Sequence, residues 1–222
     1  NVLANIKLAK VRNYTSMLEM ALFPDYLPTT VISNLVEVVK ENIDVISEFN
    51  ALKQEELGIS ELHFYDNYVP LVDDVDKKYS YEEAIELVRT ALAPLGAEYL
   101  RKYDATVRVR VIDVFESPGK RSGAFSWGSY ASRGLIFLNY TEKFSDVSTF
   151  AHEFGHCLHR DYSIENQPYI YYQNPIFLAE IASTFNEALL FDHMSKIAES
   201  SEEKKFFLYH NMKRIEATFY RQ

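Results

Sequence analysis

The sequence predicts a mainly α-helical chain carrying one small β-sheet, an α+β fold. Three observations predict it. Apolar residues at helical spacing fill most of residues 1–104 and return from Ser145 onward. Between them Val107, Val109 and Val111 alternate strictly with Arg108 and Arg110, the period of a half-buried strand. Glycines and a proline then punctuate residues 117–134 before the short apolar run Leu135-Ile136-Phe137-Leu138.

Taken in order, residues 1–22 show helical spacing at Val2, Ile6, Ala9, Asn13 and Leu18, and Phe23-Pro24 ends the run. Thr29-Thr30 opens a long helix over residues 30–57, with Val31, Leu35, Val38, Val39, Ile43, Ile46 and Phe49 at helical spacing and Gly58 closing it. Residues 62–78 read as irregular, with Pro70 and the acids Asp73, Asp74 and Asp76. Ser80 and Glu83 have capping-box spacing for a helix over residues 81–103, which Pro94 kinks or divides. Strands over 106–115, 123–127 and 134–139 make the sheet. The expected division is a helical lobe over 1–104 and a second region over 105–222 that holds the sheet and the later helices, or one continuous domain.

The chemistry concentrates in His152-Glu153-Phe154-Gly155-His156. Residues four apart on a helix are rotated by only ~40°, so both rings project from one face and can hold one Zn²⁺ at about 2.0–2.1 Å. Glu153 lies about 100° round the helix. It is too far round to be an equal ligand, yet near enough to act on water as a general base. The helix is expected over residues 145–162. Val147, Phe150, Ala151, Phe154 and Leu158 form its apolar stripe, Ser145 is the cap and Asp146 stands near the start.

A catalytic zinc takes three protein ligands and leaves one position open. The metzincin continuation would need Gly at 159 and His at 162; the chain has His159 and Tyr162. His159 lies close to the face of His156. Three rings from one short helix converge poorly on one ion, so His159 reads better as a substrate-side ring or one paired with an acid. Glu180 is the better third ligand. It stands in a second helix starting near Asn174-Pro175, with Asn174 as cap and Ile176, Phe177, Ile181, Ala188 and Leu189 as packing positions. Among such neighbours an unpaired carboxylate is costly, and coordination offsets that cost. Spacing alone leaves a solvated helix acid equally open. Glu187, two turns on, is placed to orient a ligand histidine from behind.

His152 to His156, followed by Glu180 in Ala179-Glu180-Ile181-Ala182-Ser183-Thr184-Phe185-Asn186-Glu187, resembles the thimet oligopeptidase family, and within it oligoendopeptidase F. So do Leu57-Gly58 through Tyr65-Asp66, Tyr68-Val69-Pro70-Leu71-Val72, Gly119-Lys120-Arg121-Ser122-Gly123-Ala124 and Phe137-Leu138-Asn139-Tyr140. The resemblance covers nearly the whole chain. It implies a zincin-like catalytic region and a zinc endopeptidase acting on short peptides in a deep channel. It implies one Zn²⁺ held by His152, His156 and Glu180, with Glu153 as the base. It also implies further helical parts before and after these residues, so the chain reads as an internal fragment of a longer enzyme. Two other readings stay open: a zinc-binding part without activity of its own, and another zinc hydrolase such as an aminopeptidase.

Substrate contacts are expected at Gly123, Ala124, Phe125 and Ser126, where an edge strand can pair with a peptide backbone, and at His159. An ordinary hairpin is the competing reading of that strand. Gly119-Lys120-Arg121 is no phosphate loop, because Val114 stands where a glycine is needed and Arg121 where Ser or Thr is needed. The net charge of −9 argues against nucleic acid as a partner. No apolar run approaches the ~18–20 residues of a membrane span. The single cysteine, Cys157, allows no internal disulfide and suits a reducing, cytoplasmic setting; its place on the motif helix suggests a buried small residue.

Overall fold

The structure, a computed structural model, describes residues 1–72 and 77–221. Asp73, Asp74 and Asp76 therefore lie outside the described residues. The chain forms two compact units, Asn1–Leu71 with Met212–Gln222, and Val72–Asn211. The sequence places a boundary at 104/105. That point lies inside a helix of the second unit, whose Tyr103 packs on Phe154 of the helix carrying His152 and His156, with ring centroids 4.3 Å apart.

The first unit is helical. α1 (Val2–Val11) and α2 (Met17–Leu22) replace the single run expected over 1–22. The chain turns between them at Asn13, which adopts a left-handed φ of 62°. Ser16 caps α2 by accepting from the Glu19 N–H at 3.0 Å. The helix expected over 30–57 is two helices, α3 (Thr29–Glu41) and α4 (Asp44–Leu57). Asn42 causes the break: its side-chain amide donates to the Val38 carbonyl at 2.8 Å, ending α3 by local competition with the helical ladder. Gly58 closes α4 in the left-handed conformation (φ 64°) that glycine adopts without strain. Leu35, Val38 and Ile43, expected to pack, are exposed.

The second unit holds the main core. α5 (Tyr81–Ala91) begins at the Ser80–Glu83 capping box, and Pro94 lies in a short 3-10 turn that divides it from α6 (Ala97–Arg108). The strand expected over 106–115 is reduced to β1 (Ile112–Asp113). Tyr103 and Thr106 continue the buried face of α6, so Val107 and Arg108 stay helical, and Arg110 then turns with φ 56°. β2 (Phe125–Trp127) and β3 (Leu135–Phe137) complete a sheet of order β1-β3-β2, with β1 parallel and β2 antiparallel to β3. Ile136, fully buried, pairs with Ile112 on one side and Ser126 on the other. β2 is thus an edge strand.

Two polar side chains pin the loop leading into β2. The Lys120 ammonium donates to the Phe115 carbonyl (2.7 Å) and to the Asp113 carboxylate (3.1 Å) and lies over the Phe137 ring. Asn139 donates to the carbonyls of Arg121 and Gly123, both at 2.8 Å. α7 (Phe144–Asn166) and α8 (Ile176–Ile197) then pack side by side, and α9 (Ser201–Ile215) adds Phe206 and Phe207 around the Phe144 ring.

Two caps differ from expectation. α7 starts one residue before Ser145 with Lys143 at the cap position, and the Asp146 carboxylate reaches back to accept from the Thr141 and Lys143 N–H groups. Pro175 holds the cap position of α8, while Asn174 accepts from the Ser163 hydroxyl at 3.2 Å instead. Ile176, Phe177 and Ile181 are exposed; α8 buries Ser183, Asn186, Leu190, Phe191 and Met194. None of the described helices is long and apolar enough to cross a membrane.

Candidate metal centre

α7 sorts its residues by face. Val147, Phe150, Ala151, Phe154, Cys157 and Leu158 go to the core, while His152, His156 and His159 stay half-buried on one side. Gly155 lets α8 come close: a Cβ there would lie 2.5 Å from the Ser183 Cα and 2.7 Å from the Ala182 carbonyl oxygen. Asn186, buried, donates to the Ala151 carbonyl at 3.1 Å, tying α8 to the turn of α7 that carries His152.

This packing brings three donor atoms to one point. His152 Nε2 lies 3.1 Å from His156 Nε2, and Glu180 Oε2 lies 3.3 Å and 3.4 Å from those two nitrogens. Donors about 2.0–2.1 Å from one tetrahedral ion stand roughly 3.3 Å apart, so the triangle has the size of one face of a zinc site. Two imidazoles and a carboxylate are also a donor set that zinc takes. These three form the group that could hold a metal among the described residues, and His159 is outside it. Glu180 was expected among apolar neighbours, but its side chain is 54% exposed. Proximity to the histidines, not burial, is what marks it.

Behind the donors, Glu187 Oε2 lies 3.6 Å from His152 Nδ1, and the Ser148 hydroxyl donates to Glu187 Oε1 at 3.3 Å. Burial alone would depress the His152 ring; the carboxylates of Glu187, Glu153 and Glu180 outweigh it and hold the pKa above its ordinary value. Burial, helped by neighbouring His152, pushes His156 down. Glu153 is 6% exposed, and its Oε2 is buried without a hydrogen-bond partner. Burial raises its pKa, opposed by His152 and by the Ser126 backbone N–H. A buried carboxylate with an unengaged oxygen and a raised pKa is suited to accept a proton.

β2 runs beside this helix, and Ser126 of β2 faces Glu153 through its backbone. Gly123 (φ 93°) and Ala124 lead into it. His159 lines a neighbouring cleft of about 310 Å³ with Ser126, Trp127, Gly128, His156 and Tyr172. Arg160, also on that cleft, fits between Gly128 and Gly134, where a Cβ would meet its guanidinium at 2.1 Å and 1.5 Å respectively. Cys157 is buried, and burial pushes its thiol up to about 11. Sequence reasoning missed Ser148, Ser183, Asn186 and the glycine contacts of Arg160. Ser183 alone left a local signal, a hydroxyl one helical turn after Glu180.

The profile of Peptidase family M3 matches residues 1–222. Oligopeptidase PepF of Bacillus subtilis is 37% identical over 214 residues, 96% of this chain and 32% of its own length. An oligoendopeptidase F homolog of Lactococcus lactis is 38% identical over 218 residues, 98% of this chain and 36% of its own. The chain therefore spans about a third of these relatives. A crystal structure from Chlamydophila abortus, named for a peptidase, superposes with a TM-score of 0.90 at 42% identity, covering 99% of this chain and 37% of that one. Oligoendopeptidase-F of Enterococcus faecium shares the fold, with a TM-score of 0.67 at 24% identity over 99% of this chain and 31% of that one. Matched along its length by sequence and by fold, the chain belongs to peptidase family M3.

Proposed function

We propose that this chain carries the zinc centre of a metalloendopeptidase that cuts internal bonds of short peptides. One observation carries the reading: three donor atoms 3.1–3.4 Å apart, with the buried Glu153 carboxylate beside them. His152, His156 and Glu180 would hold one Zn²⁺, and Glu187 would orient the His152 ring. When bound, the ion supplies Lewis acidity, making water a nucleophile near neutral pH and polarising the scissile carbonyl. Glu153 takes a proton from the attacking water at its free oxygen and returns it to the departing amine nitrogen. Attack forms the C–O bond and makes the carbonyl carbon tetrahedral; the C–N bond breaks as that carbon returns to a carboxyl group, and no acyl-enzyme arises.

The substrate reading rests on β2. The segment from Gly123 to Ser126, leading into and along its edge, would offer an extended peptide the main-chain groups that Asn139 and Glu153 do not already engage. Such pairing tolerates varied side chains. The cleft beside His159 would receive a neighbouring part of the substrate. The names of the relatives support oligopeptides as substrates, and the share of them that the chain spans supports its reading as the metal-bearing part of a longer enzyme. A cytoplasmic location goes with this reading, supported by the single buried thiol.

Zinc content and product analysis on internally quenched peptides test it. Stoichiometric zinc with internal cuts is the expected result. Release of single N-terminal residues would favour an aminopeptidase, and stoichiometric zinc without hydrolysis by the whole protein would favour a metal-binding part without catalysis.

A further inference from the structure

We propose that Ser183 is a positioning residue for the metal centre, its hydroxyl holding the Glu180 carboxylate in the orientation that completes the donor triangle. The inference rests on the metal-site reading above. Glu180 is the donor in most need of such help. Its side chain is 54% exposed, against 25% for His152 and 24% for His156, which α7 and α8 enclose. A glutamate on an open helix face turns about three side-chain torsions, and fixing them costs side-chain entropy.

Ser183 supplies the constraint from the next turn of α8. It is fully buried, and its Oγ stands 2.8 Å from Glu180 Oε2. That oxygen is the one facing the two imidazoles. A carboxylate oxygen has two lone-pair directions, so one can accept from the serine while the other points between the histidines. The Glu180 backbone carbonyl competes for the same proton, with Ser183 Oγ 3.0 Å away. The Thr184 hydroxyl already donates to that carbonyl at 2.6 Å, leaving the serine proton for the carboxylate. Ser183 is itself held firmly, since its backbone lies against Gly155 of the motif helix. The packing contact that sets the distance between α7 and α8 therefore also carries the hydroxyl that aims the third ligand.

Ser183→Ala removes the hydroxyl without adding bulk against Gly155. Measured on the whole protein by competition with a chromophoric chelator, its zinc affinity should fall about tenfold, the lower end for a group supporting a ligand. The melting temperature of the zinc-free protein should stay near that of the parent. The visible spectrum of the cobalt(II)-loaded variant should change, because the carboxylate loses its fixed orientation. In a Glu180→Gln background the same serine change should cost little further affinity, since the two act through one contact. Parental zinc affinity in Ser183→Ala, or equal losses in both backgrounds, would overturn the assignment. If Glu180→Gln itself binds zinc like the parent, the metal-site reading fails, which is a separate result.

Discussion

The Ser183 backbone fills the space that a side chain on Gly155 would need. A Cβ on Gly155 would stand 2.5 Å from the Ser183 Cα, closer than any real contact allows. Gly155→Ala must therefore push α8 away from α7. Overpacking of this kind costs roughly 1–3 kcal/mol. The same movement separates Glu180 from the histidines, so zinc affinity should drop together with the melting temperature. Calorimetry with and without zinc would read both, and an unchanged pair would contradict the close-packing argument.

Glu153→Gln keeps the shape of the side chain and removes its ability to take a proton. Zinc content of the whole enzyme should remain stoichiometric, while kcat falls by roughly 10²–10⁴-fold. A variant that turns over at the parental rate would remove Glu153 from the mechanism.

Glu187 and Ser148 stand behind His152. Glu187→Gln takes away the negative charge facing His152 Nδ1. Zinc affinity should fall by about 10–100-fold. Ser148→Ala should have a smaller effect in the same direction, since its hydroxyl only steadies Glu187. Isothermal titration of the two variants checks the ranking.

On the proposed reading zinc would join donors on two helices that also form the core, so it should stabilise the fold. At free zinc 100-fold above Kd the gain is about 2.7 kcal/mol by mass action. Chelator treatment should lower the melting temperature of the parent and leave a His152→Ala, His156→Ala double variant unaffected.

Asp104 and Arg89 join α6 to α5 through two hydrogen bonds, 2.7 Å and 3.0 Å long. The guanidinium holds the Asp104 carboxyl below its ordinary value. Its contribution is therefore full above the unfolded value of about 3.9 and is lost as pH falls through the lower folded value. Asp104→Asn should be less stable than the parent at neutral pH, and the two should converge in acid. Urea titrations at the two extremes would show a constant gap if the pair contributed nothing.

What could be read in advance was what lies close along the chain. The motif, its helix, the Ser80–Glu83 cap and the turn at Gly58 each depend on a few neighbouring residues. Glu180 could be proposed by spacing, but its proximity to His152 needed Gly155, whose meaning appears only when α8 lies on it. The alternating valines and arginines after Thr106 misled for a related reason. A strand extends only as far as its partner, and on its β1 side β3 pairs with just Ile112 and Asp113, while Tyr103 and Thr106 had already committed the preceding turn to the core. The face that α8 buries was hidden too. Ser183 and Asn186 go inward to make hydrogen bonds, leaving Ile176 and Ile181 outside. Polar networks of this kind leave no hydrophobic period to follow.

The inward turn of Cys157 sets the chemical hardness of the centre. The thiol is adjacent in sequence to His156 yet lies in the core with a pKa near 11, so no thiolate reaches the donor triangle. Two imidazoles and a carboxylate offer copper(I) and other thiophilic ions no sulfur. Thiol-alkylating reagents should leave the folded protein untouched, and a poison of this site would have to compete for nitrogen and oxygen.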